Sequence, residues 1–472
     1  MRQWWSIALV LLGHCGVPAQ EGPVQVLTRA QVLQLVVDNH PAVRQAMLRS
    51  EIGAAAERSA RGAFDPKAVA AYKEKRFEGT EYYHLLDAGL RIPTWYGVEL
   101  FAGFEDSRGL YLDPQNRTPG DGLVKAGASV QLGQGLFIDR RRADLKRAQA
   151  YRDMVEAERV RMLNDLLYEV LSDHLEWVAA YRRLRVAELA VQRAEVRFQA
   201  VRGSHLGGDR AAIDTVEAML QVQDRVMRSW QARTDLLNAR LLLSNHLWDP
   251  YMRPLEIEAG MVPDTLELEA PVTLPGLEEL VAHAMELHPR LLELQGRLQQ
   301  LEVDRRIRQE MIKPQLDLNY TLLSNAGVVQ DEGDPRFTVR DRQLGLAFSM
   351  PLLLRRERGE LALADLHLTD AELEQDRLRL SIRNALGQRF NELALRQEQV
   401  ELGASMVQNY RALFMGETSR FDAGESSLFL VNQREVAFID SRFSQVDLEL
   451  RQWRAYFLLE RDAGVLWRNL VE

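Results

Sequence analysis

The segment that decides the fold alternates apolar and polar side chains, Gln315-Leu316-Asp317-Leu318-Asn319-Tyr320-Thr321-Leu322. A period of two indicates a β-strand with one apolar and one polar face. The segment from Gln343 to Met350 alternates in the same way, and a polar loop over residues 325–336 completes a hairpin. Strands of about ten residues can cross a bilayer at a tilt. A half-buried hairpin of a soluble protein has the same pattern, so both interpretations stand at this point.

The parts around this hairpin occur twice in the chain. Pro41 and Pro66 recur as Pro289 and Pro314, at an offset of 248 residues. Later features recur at an offset of 216, so the first half holds 32 additional residues before its long charged segment. Its strand region, residues 67–133, contains the same period-two alternation. Each half therefore predicts the same elements in the same order.

Three helices are predicted in each half. The opening helices cover residues 28–63 and 276–311, with Thr28 as N-cap and a break or kink at Pro41 and Pro289. The long helices cover about 136–201 and 352–415, roughly 100 Å each at 1.5 Å per residue. Glycine-containing turns at 203–208 and 416–424 precede return helices at 211–247 and 427–466. One apolar stripe with seven-residue spacing is present in both long helices and predicts a coiled-coil seam: Leu166, Val170, Trp177, Leu184, Ile382, Leu386, Leu393 and Val400.

These features divide the chain into a signal peptide at residues 1–19, a first repeat at 20–249, a linker at 250–275 and a second repeat at 276–472. The membrane strands fall at about 67–133 and 315–350. The only cysteine, Cys15, lies inside the predicted signal peptide, so the mature chain lacks thiol chemistry. Lipidation at Cys15 is an alternative, although His14 is larger than the residue that usually precedes a lipidated cysteine.

The order of these parts resembles the TolC-like family of outer-membrane efflux proteins over essentially the whole mature chain. The segments that carry the resemblance are the His-Pro pairs at Pro41 and Pro289, residues 63–66 and 134–137, and the helical turns at 208–214 and 421–428. The resemblance implies a mainly α-helical chain with a transmembrane β-barrel, assembled as a homotrimeric α/β-barrel channel. Pro66 and Pro314 are interpreted as structural residues together with the His-Pro prolines.

The resemblance also implies partners and sites. It implies an exit duct in the outer membrane with a large periplasmic part, which works with a periplasmic adaptor and an inner-membrane transporter. The helical turns would contact the adaptor, and acidic residues near them would constrict the pore. The positions that match the adaptor contacts are Gly208, Asp209, Gly424 and Glu425. The positions that match the constriction are Asp214, Glu217, Leu430 and Gln433, of which only the first two are acidic.

The first strand region departs from the family pattern because it is longer. It has room for four strands, which would give eighteen in a trimer, or its extra part could fold outside the barrel as a plug or rim. We favour two membrane strands from each half, and therefore twelve strands in the trimer.

Other functional classes have less support. The net charge of −9 is unsuited to nucleic-acid binding. No metal, cofactor or catalytic motif is found, and we expect neither a cofactor nor an enzymatic activity. A periplasmic coiled-coil scaffold or adaptor is the main alternative; it would explain the helices but not strands of membrane length. A secreted enzyme is a further one. The sequence names neither the cargo nor the resting state of the gate.

Overall fold

The computed structural model describes residues 25–258, 260–327 and 337–471. The predicted signal peptide, Cys15 and most of the polar loop at 325–336 lie outside the described residues. The described residues divide into two compact units, one made of those within 1–40, 169–272 and 395–454 and one made of those within 41–168, 273–394 and 455–472.

The opening helices, the pair of strands before each long helix, the long helices and the return helices recur in the same order in both halves. The helices are α1 (Arg29–Asn39), α2 (Pro41–Arg61), α3 (Arg140–Leu206), α4 (Ala212–Ser244), α5 (Leu277–Leu287), α6 (Pro289–Glu310), α7 (Arg355–Asp422), α8 (Leu428–Ala463) and α9 (Leu466–Val471). The strands are β1 (Gln25–Leu27), β2 (Lys67–Phe77), β3 (Thr80–Pro93), β4 (Val98–Arg108), β5 (Leu123–Gln131), β6 (Met261–Pro263), β7 (Gln315–Asn325) and β8 (Arg342–Ser349). No helix among these is both long enough and apolar enough to cross a membrane.

The helix starts follow from local chemistry. Thr28 caps α1 as predicted, and its side chain accepts a hydrogen bond from the Gln31 N–H while Gln31 reaches back to the Thr28 N–H. The predicted breaks in both opening helices are confirmed, because His40 and His288 have extended backbones at ψ 131° and 126°. Each following proline is the first residue of a new helix, where its missing N–H has no helical partner to lose.

The unit that contains the sheet has six antiparallel strands in the order β2-β3-β4-β5-β7-β8. The expectation that the first half contributes only two strands is wrong for this sheet, which also includes the extra first-half segment. That segment forms β2 and β3, and β3 pairs with β4 over residues 84–93. The chain therefore contributes six strands rather than four. β2 and β8 are the two edges of this sheet, and their outer hydrogen-bonding groups meet no other strand among the described residues.

The other unit contains residues 169–206 of α3, residues 395–422 of α7, all of α4, and most of α8 and of the linker. β1 pairs in parallel with β6 of the linker, Gln25 opposite Met261. The long helices run further than predicted, so Gly203 and Gly416 lie inside α3 and α7, and the turns begin only after Leu206 and Asp422. A single glycine in a helix costs little enough for the flanking periodicity to override it.

The predicted apolar stripe is mostly buried. Val170, Trp177, Leu386 and Leu393 are each at most 1% exposed, while Val400 is only half-buried. The packing of these side chains gives the long helices their cores.

Candidate channel surfaces: the sheet and the helical turns

The six strands share one continuous apolar face. Cross-strand pairs on this face include Leu318 with Leu346 and Leu100 with Ala128, and they continue through Ala88 opposite Phe104. Several of these apolar side chains are strongly exposed: Leu90, Leu100, Leu344, Leu346 and Phe348, at 41, 44, 65, 66 and 69%. An apolar surface of this extent needs a cover, since water is an unfavourable neighbour for it.

The opposite face of the sheet is polar. Lys125 on β5 is 2.9 Å from Asp87 on β3 and 3.4 Å from Glu105 on β4, so one ammonium connects three strands. Asn319 and Thr321 on β7 continue this face. The sequence showed that the residues alternate, but the Lys125 contacts depend on register and were not predicted.

Glycines on the polar face accommodate close backbone approaches. A Cβ on Gly89 would lie 2.6 Å from the Ala102 carbonyl oxygen, and one on Gly127 would lie 2.3 Å from the Tyr320 carbonyl oxygen. A side chain at either position would clash with the backbone of the neighbouring strand, so the close approach needs glycine. The ring of Phe101 lies over Gly127 and fills the space left by the missing side chain.

Aromatic side chains lie at both ends of the strands. At one end, Trp95 in the turn between β3 and β4 stacks on Phe64 with ring centroids 4.0 Å apart, and Tyr96 beside it is 84% exposed. At the other end, Tyr82 and Tyr111 pack with centroids 4.5 Å apart. This placement is typical of strands whose ends meet a membrane–water boundary.

The two helical turns have the same backbone conformation. Gly208 and Gly424 have φ values of +85° and +79°. The next N–H in each turn, of Asp209 or Glu425, donates to a carbonyl five residues back at 3.0 and 2.8 Å. This is a Schellman helix ending, in which glycine adopts the left-handed conformation without a Cβ penalty. All four predicted adaptor-contact residues are exposed.

The four predicted constriction residues lie near these turns. Asp214 is in the first turn of α4, with a carboxylate oxygen 4.0 Å from the Arg210 guanidinium. The Glu217 carboxylate accepts a hydrogen bond from the Asn432 side chain at 3.0 Å, so it contacts the second half of the chain. Leu430 and Gln433 are exposed on α8. A role for these four residues in a constriction stays a prediction.

Buried charges between the helices are the feature that sequence reasoning missed. Arg197 on α3 donates to both carboxylate oxygens of Glu435 on α8, at 2.7 and 3.1 Å, and Glu435 is only 2% exposed. Arg225 on α4 is 1% exposed, and its Nε and Nη2 have no hydrogen-bond partner among the described residues. Burial lowers the pKa of Arg225 from its ordinary value. In the sequence, nothing distinguishes these residues from the many solvent-exposed charged residues around them.

No group of three or more histidine, aspartate or glutamate side chains within the described residues is arranged to hold a metal ion. The histidines before Pro41 and Pro289 have structural contacts. His288 accepts a hydrogen bond from the Arg290 N–H at its Nδ1, 3.1 Å away, and caps α6. Burial lowers the pKa of His288 to about 4. Burial, together with the nearby His246, also lowers the pKa of His40 to about 4.

Solved structures share this arrangement. The outer-membrane channel MtrE of Neisseria gonorrhoeae, in its open state, matches with a TM-score of 0.67 and 14% identity over 92% of this chain and 88% of its own. VceC of Vibrio cholerae matches with a TM-score of 0.63 and 14% identity, over 92% and 96%. The CmeC channel of Campylobacter jejuni matches with a TM-score of 0.62 and 13% identity, over 92% and 85%.

The chain has the fold of the outer-membrane channels. The resemblance drawn from the sequence is therefore confirmed for the fold. Neither a family model nor a curated protein sequence matches the chain. With so little identity to the solved structures, the duplicated order of elements identifies this fold better than any single motif does.

Proposed function

We propose that this protein is the outer-membrane channel of an export system, a passive exit duct that spans the outer membrane and extends into the periplasm. The observation that carries the proposal is the six-stranded sheet, with one exposed apolar face, one polar face and two unpaired edges. In a bilayer the apolar face would contact lipid, and the polar face would line the water-filled path.

Open edges require several copies. Unpaired strand edges are not tolerated in lipid, so the sheet must close with strands of other chains. The two edges of the sheet are different strands, β2 and β8. A ring of copies closes when β8 of each copy pairs with the edge strand that the first half of the next copy provides. A homotrimer is the assembly implied by the family resemblance, and this head-to-tail arrangement is compatible with it.

The sequence contains no P-loop motif for nucleotide binding, and the family resemblance implies that transport depends on partners. We propose that an inner-membrane transporter supplies the energy and that a periplasmic adaptor contacts the turns at Gly208-Asp209 and Gly424-Glu425. Their matching Schellman endings would present two equivalent surfaces to one adaptor. The alternative scaffold function lacks a reason for an exposed apolar face across six strands.

The experiment is to purify the mature protein from outer membranes, measure its mass in detergent and record its conductance in a planar bilayer. Trimer mass with discrete channels is the expected result. A soluble monomer without conductance would contradict the proposal and favour a periplasmic scaffold.

The same recordings test the constriction. Asp214 and Glu217 provide the only carboxylates among the four predicted residues, so a first-half acidic gate would make the channel prefer cations. Asp214→Asn with Glu217→Gln should abolish that preference. Leu430→Asn with Gln433→Asn is the matched second-half control and should leave it in place.

A further inference from the structure

The internal repeat allows the covered surfaces of one half to be compared with the uncovered surfaces of the other. Residues 216 positions apart are equivalent in the long and return helices. A charge pair observed in both halves confirms this offset: Asp173 contacts His246 at 2.9 Å, and their equivalents Arg389 and Asp462 are 3.1 Å apart. The charges have changed places, but the positions have not.

The return helix α8 has a stripe that is covered within the chain. Val446 and Trp453 on this stripe are 2 and 8% exposed, and Phe443 packs against a core cluster that includes Leu184 and Ala187 of α3. The ion pairs that accompany this packing between α3 and α8 include Arg197–Glu435, Arg183–Asp447 and Arg182–Glu449. α3 is therefore the cover of α8.

The equivalent stripe on α4 has no such cover. Met227, Trp230 and Leu237 are equivalent to Phe443, Val446 and Trp453, and they are 68, 67 and 44% exposed. With other apolar residues they form a stripe whose members follow one another at steps of three, four or seven residues, as in a helix-packing seam: Ile213, Val216, Leu220, Met227, Trp230, Leu237 and Leu241. We call these seven residues the α4 stripe.

The equivalent of the covering helix is also exposed. On α7, Leu395 and Met406 are 51 and 44% exposed, whereas their equivalents on α3, Ala179 and Ala190, are 0 and 3% exposed. Thus α3 covers α8 inside the chain, while α7 and α4 each present the same kind of face uncovered.

We propose that α7 of one copy covers the α4 stripe of the next copy, as α3 covers α8 within one chain, and that Glu398 on α7 forms an ion pair with Arg233 on α4 across this seam. Glu398 is equivalent to Arg182, and Arg233 is equivalent to Glu449. The intrachain pair Arg182–Glu449 thus reappears with its charges exchanged. Arg233 and Glu398 are exposed, and neither has an ion pair among the described residues.

The equivalents of another buried pair fit the same seam. Arg197 and Glu435, which pair in the chain, correspond to Leu413 on α7 and Met219 on α4. These are 44 and 41% exposed. Two apolar residues brought together would replace the ion pair of the intrachain seam with an apolar contact. An ion pair at one level and an apolar contact at the other give the seam a fixed register.

This inference rests on the proposed trimer, and a charge exchange tests it. Arg233→Glu places like charges in the seam, and so does Glu398→Arg. Because like charges at an interface are strongly unfavourable, we expect each to lower the trimer-to-monomer ratio in detergent by about tenfold or more. The double variant Arg233→Glu with Glu398→Arg should restore it. Arg185→Glu is the control, because Arg185 is exposed on α3, pairs within the described part of the chain only with Glu188 of the same helix and lies outside the seam, and it should leave the ratio unchanged.

Cross-linking gives a second readout that needs no change in stability. The predicted mature chain has no cysteine, so Arg233→Cys with Glu398→Cys introduces the only thiols. A short bismaleimide should then join copies into covalent dimers and trimers, whereas Arg182→Cys with Glu449→Cys should give only an internal link. A stable conducting trimer without intermolecular cross-links or charge rescue would overturn the seam but not the channel. A monomeric, non-conducting wild type would overturn the channel itself.

The sheet carries a second, independent inference. At the offset of 216 residues, β7 and β8 correspond to β4 and β5, and β5 pairs with β7 inside the chain. The equivalent pairing between copies would join β8 to β4 of the next copy. That edge of β4 is already occupied by β3.

We infer that the β2–β3 hairpin lies between the sheets of neighbouring copies, so that β8 of one copy pairs with β2 of the next copy and the trimer closes with eighteen strands. The apolar face continues through the hairpin by way of Leu86, Ala88 and Leu90, which suits a wall in lipid. Since barrel diameter grows about linearly with strand number, this mouth would be roughly half as wide again as one of twelve strands.

Cysteines on the two edges distinguish these closures. Ala71 on β2, Phe101 on β4 and Gly345 on β8 all lie near mid-strand on the polar face. Ala71→Cys with Gly345→Cys should cross-link between copies, and Phe101→Cys with Gly345→Cys should not. The reverse outcome would mean that the barrel closes on β4 with twelve strands and that the hairpin lies outside the wall.

Discussion

The return helices α4 and α8 are equivalent elements of the two repeats, but their surroundings differ. On α8, Trp453 is 8% exposed beneath neighbouring helices; on α4, its equivalent Leu237 is 44% exposed. The local sequence of each helix allows both outcomes, since each carries an apolar stripe. The comparison shows that one repeated face can serve as protein core or as a subunit interface, according to what covers it.

The largest expected difference concerns this pair. Trp453→Ala should lower the free energy of unfolding by about 3–5 kcal/mol, because it removes a large buried side chain from the core. Leu237→Ala should change the unfolding of the monomer by less than about 0.5 kcal/mol but reduce trimer formation. Denaturant titrations in detergent, at protein concentrations below and above trimer assembly, measure both effects. If Trp453→Ala and Leu237→Ala lowered the stability of the monomer equally, α4 would already be covered within one chain.

The buried charges sharpen the comparison next. Arg197→Met should cost about 3 kcal/mol, because it leaves the Glu435 carboxylate buried and unpaired. Adding Glu435→Leu to Arg197→Met should recover most of that loss of stability. The denaturant midpoints of the wild type and the variants measure this double-mutant cycle. Arg225→Met is the contrasting variant: its guanidinium is buried with two nitrogens lacking partners, so removal should be neutral or stabilising. A large loss for Arg225→Met would mean that this cation has a partner in the assembled protein.

The histidines before Pro41 and Pro289 lead to a prediction for pH. The pKa of His288 is about 4 in the fold and ordinarily about 6.5 when exposed. The unfolded chain therefore binds the proton more readily, and stability should fall as pH drops from 6.5 to 4, by up to about 3 kcal/mol. His288→Asn keeps an N-cap acceptor and should flatten that part of the stability profile. A profile identical to wild type would exclude His288 as its source.

The smallest expected effects are at the helical turns. Gly208→Ala and Gly424→Ala should each cost about 1 kcal/mol, because alanine is strained at a positive φ although space is available. Gly203→Ala and Gly416→Ala, inside helices with nothing within 4 Å of the added carbon, should instead stabilise by up to about 1 kcal/mol. Thermal unfolding of the four variants measures this. A difference in stability between the Gly208→Ala and Gly424→Ala variants would show that the two turns share a backbone conformation but not the same surroundings.

Much of the fold was predictable from local patterns. Thr28 as a cap, the breaks at Pro41 and Pro289 and the strand alternation around Tyr320 all depend on neighbouring residues, whose effects are short in range. The glycine turns were placed too broadly, because Gly203 and Gly416 resemble helix ends in sequence but continue in helical conformation. The predicted sites at Asp214 and Glu217 came from the family resemblance, and their roles remain predictions.

The sequence by itself determined the order of elements, the two apolar stripes and the duplication, because periodicity and turn residues act within a few positions of one another. Only the tertiary structure decided that β3 pairs with β4 and makes the sheet six strands wide, since strand alternation is the same in a wall and in a plug. It likewise decided that Glu435 is buried by Arg197 while Arg233 stays exposed. Register and neighbouring helices set burial, and these depend on residues hundreds of positions apart.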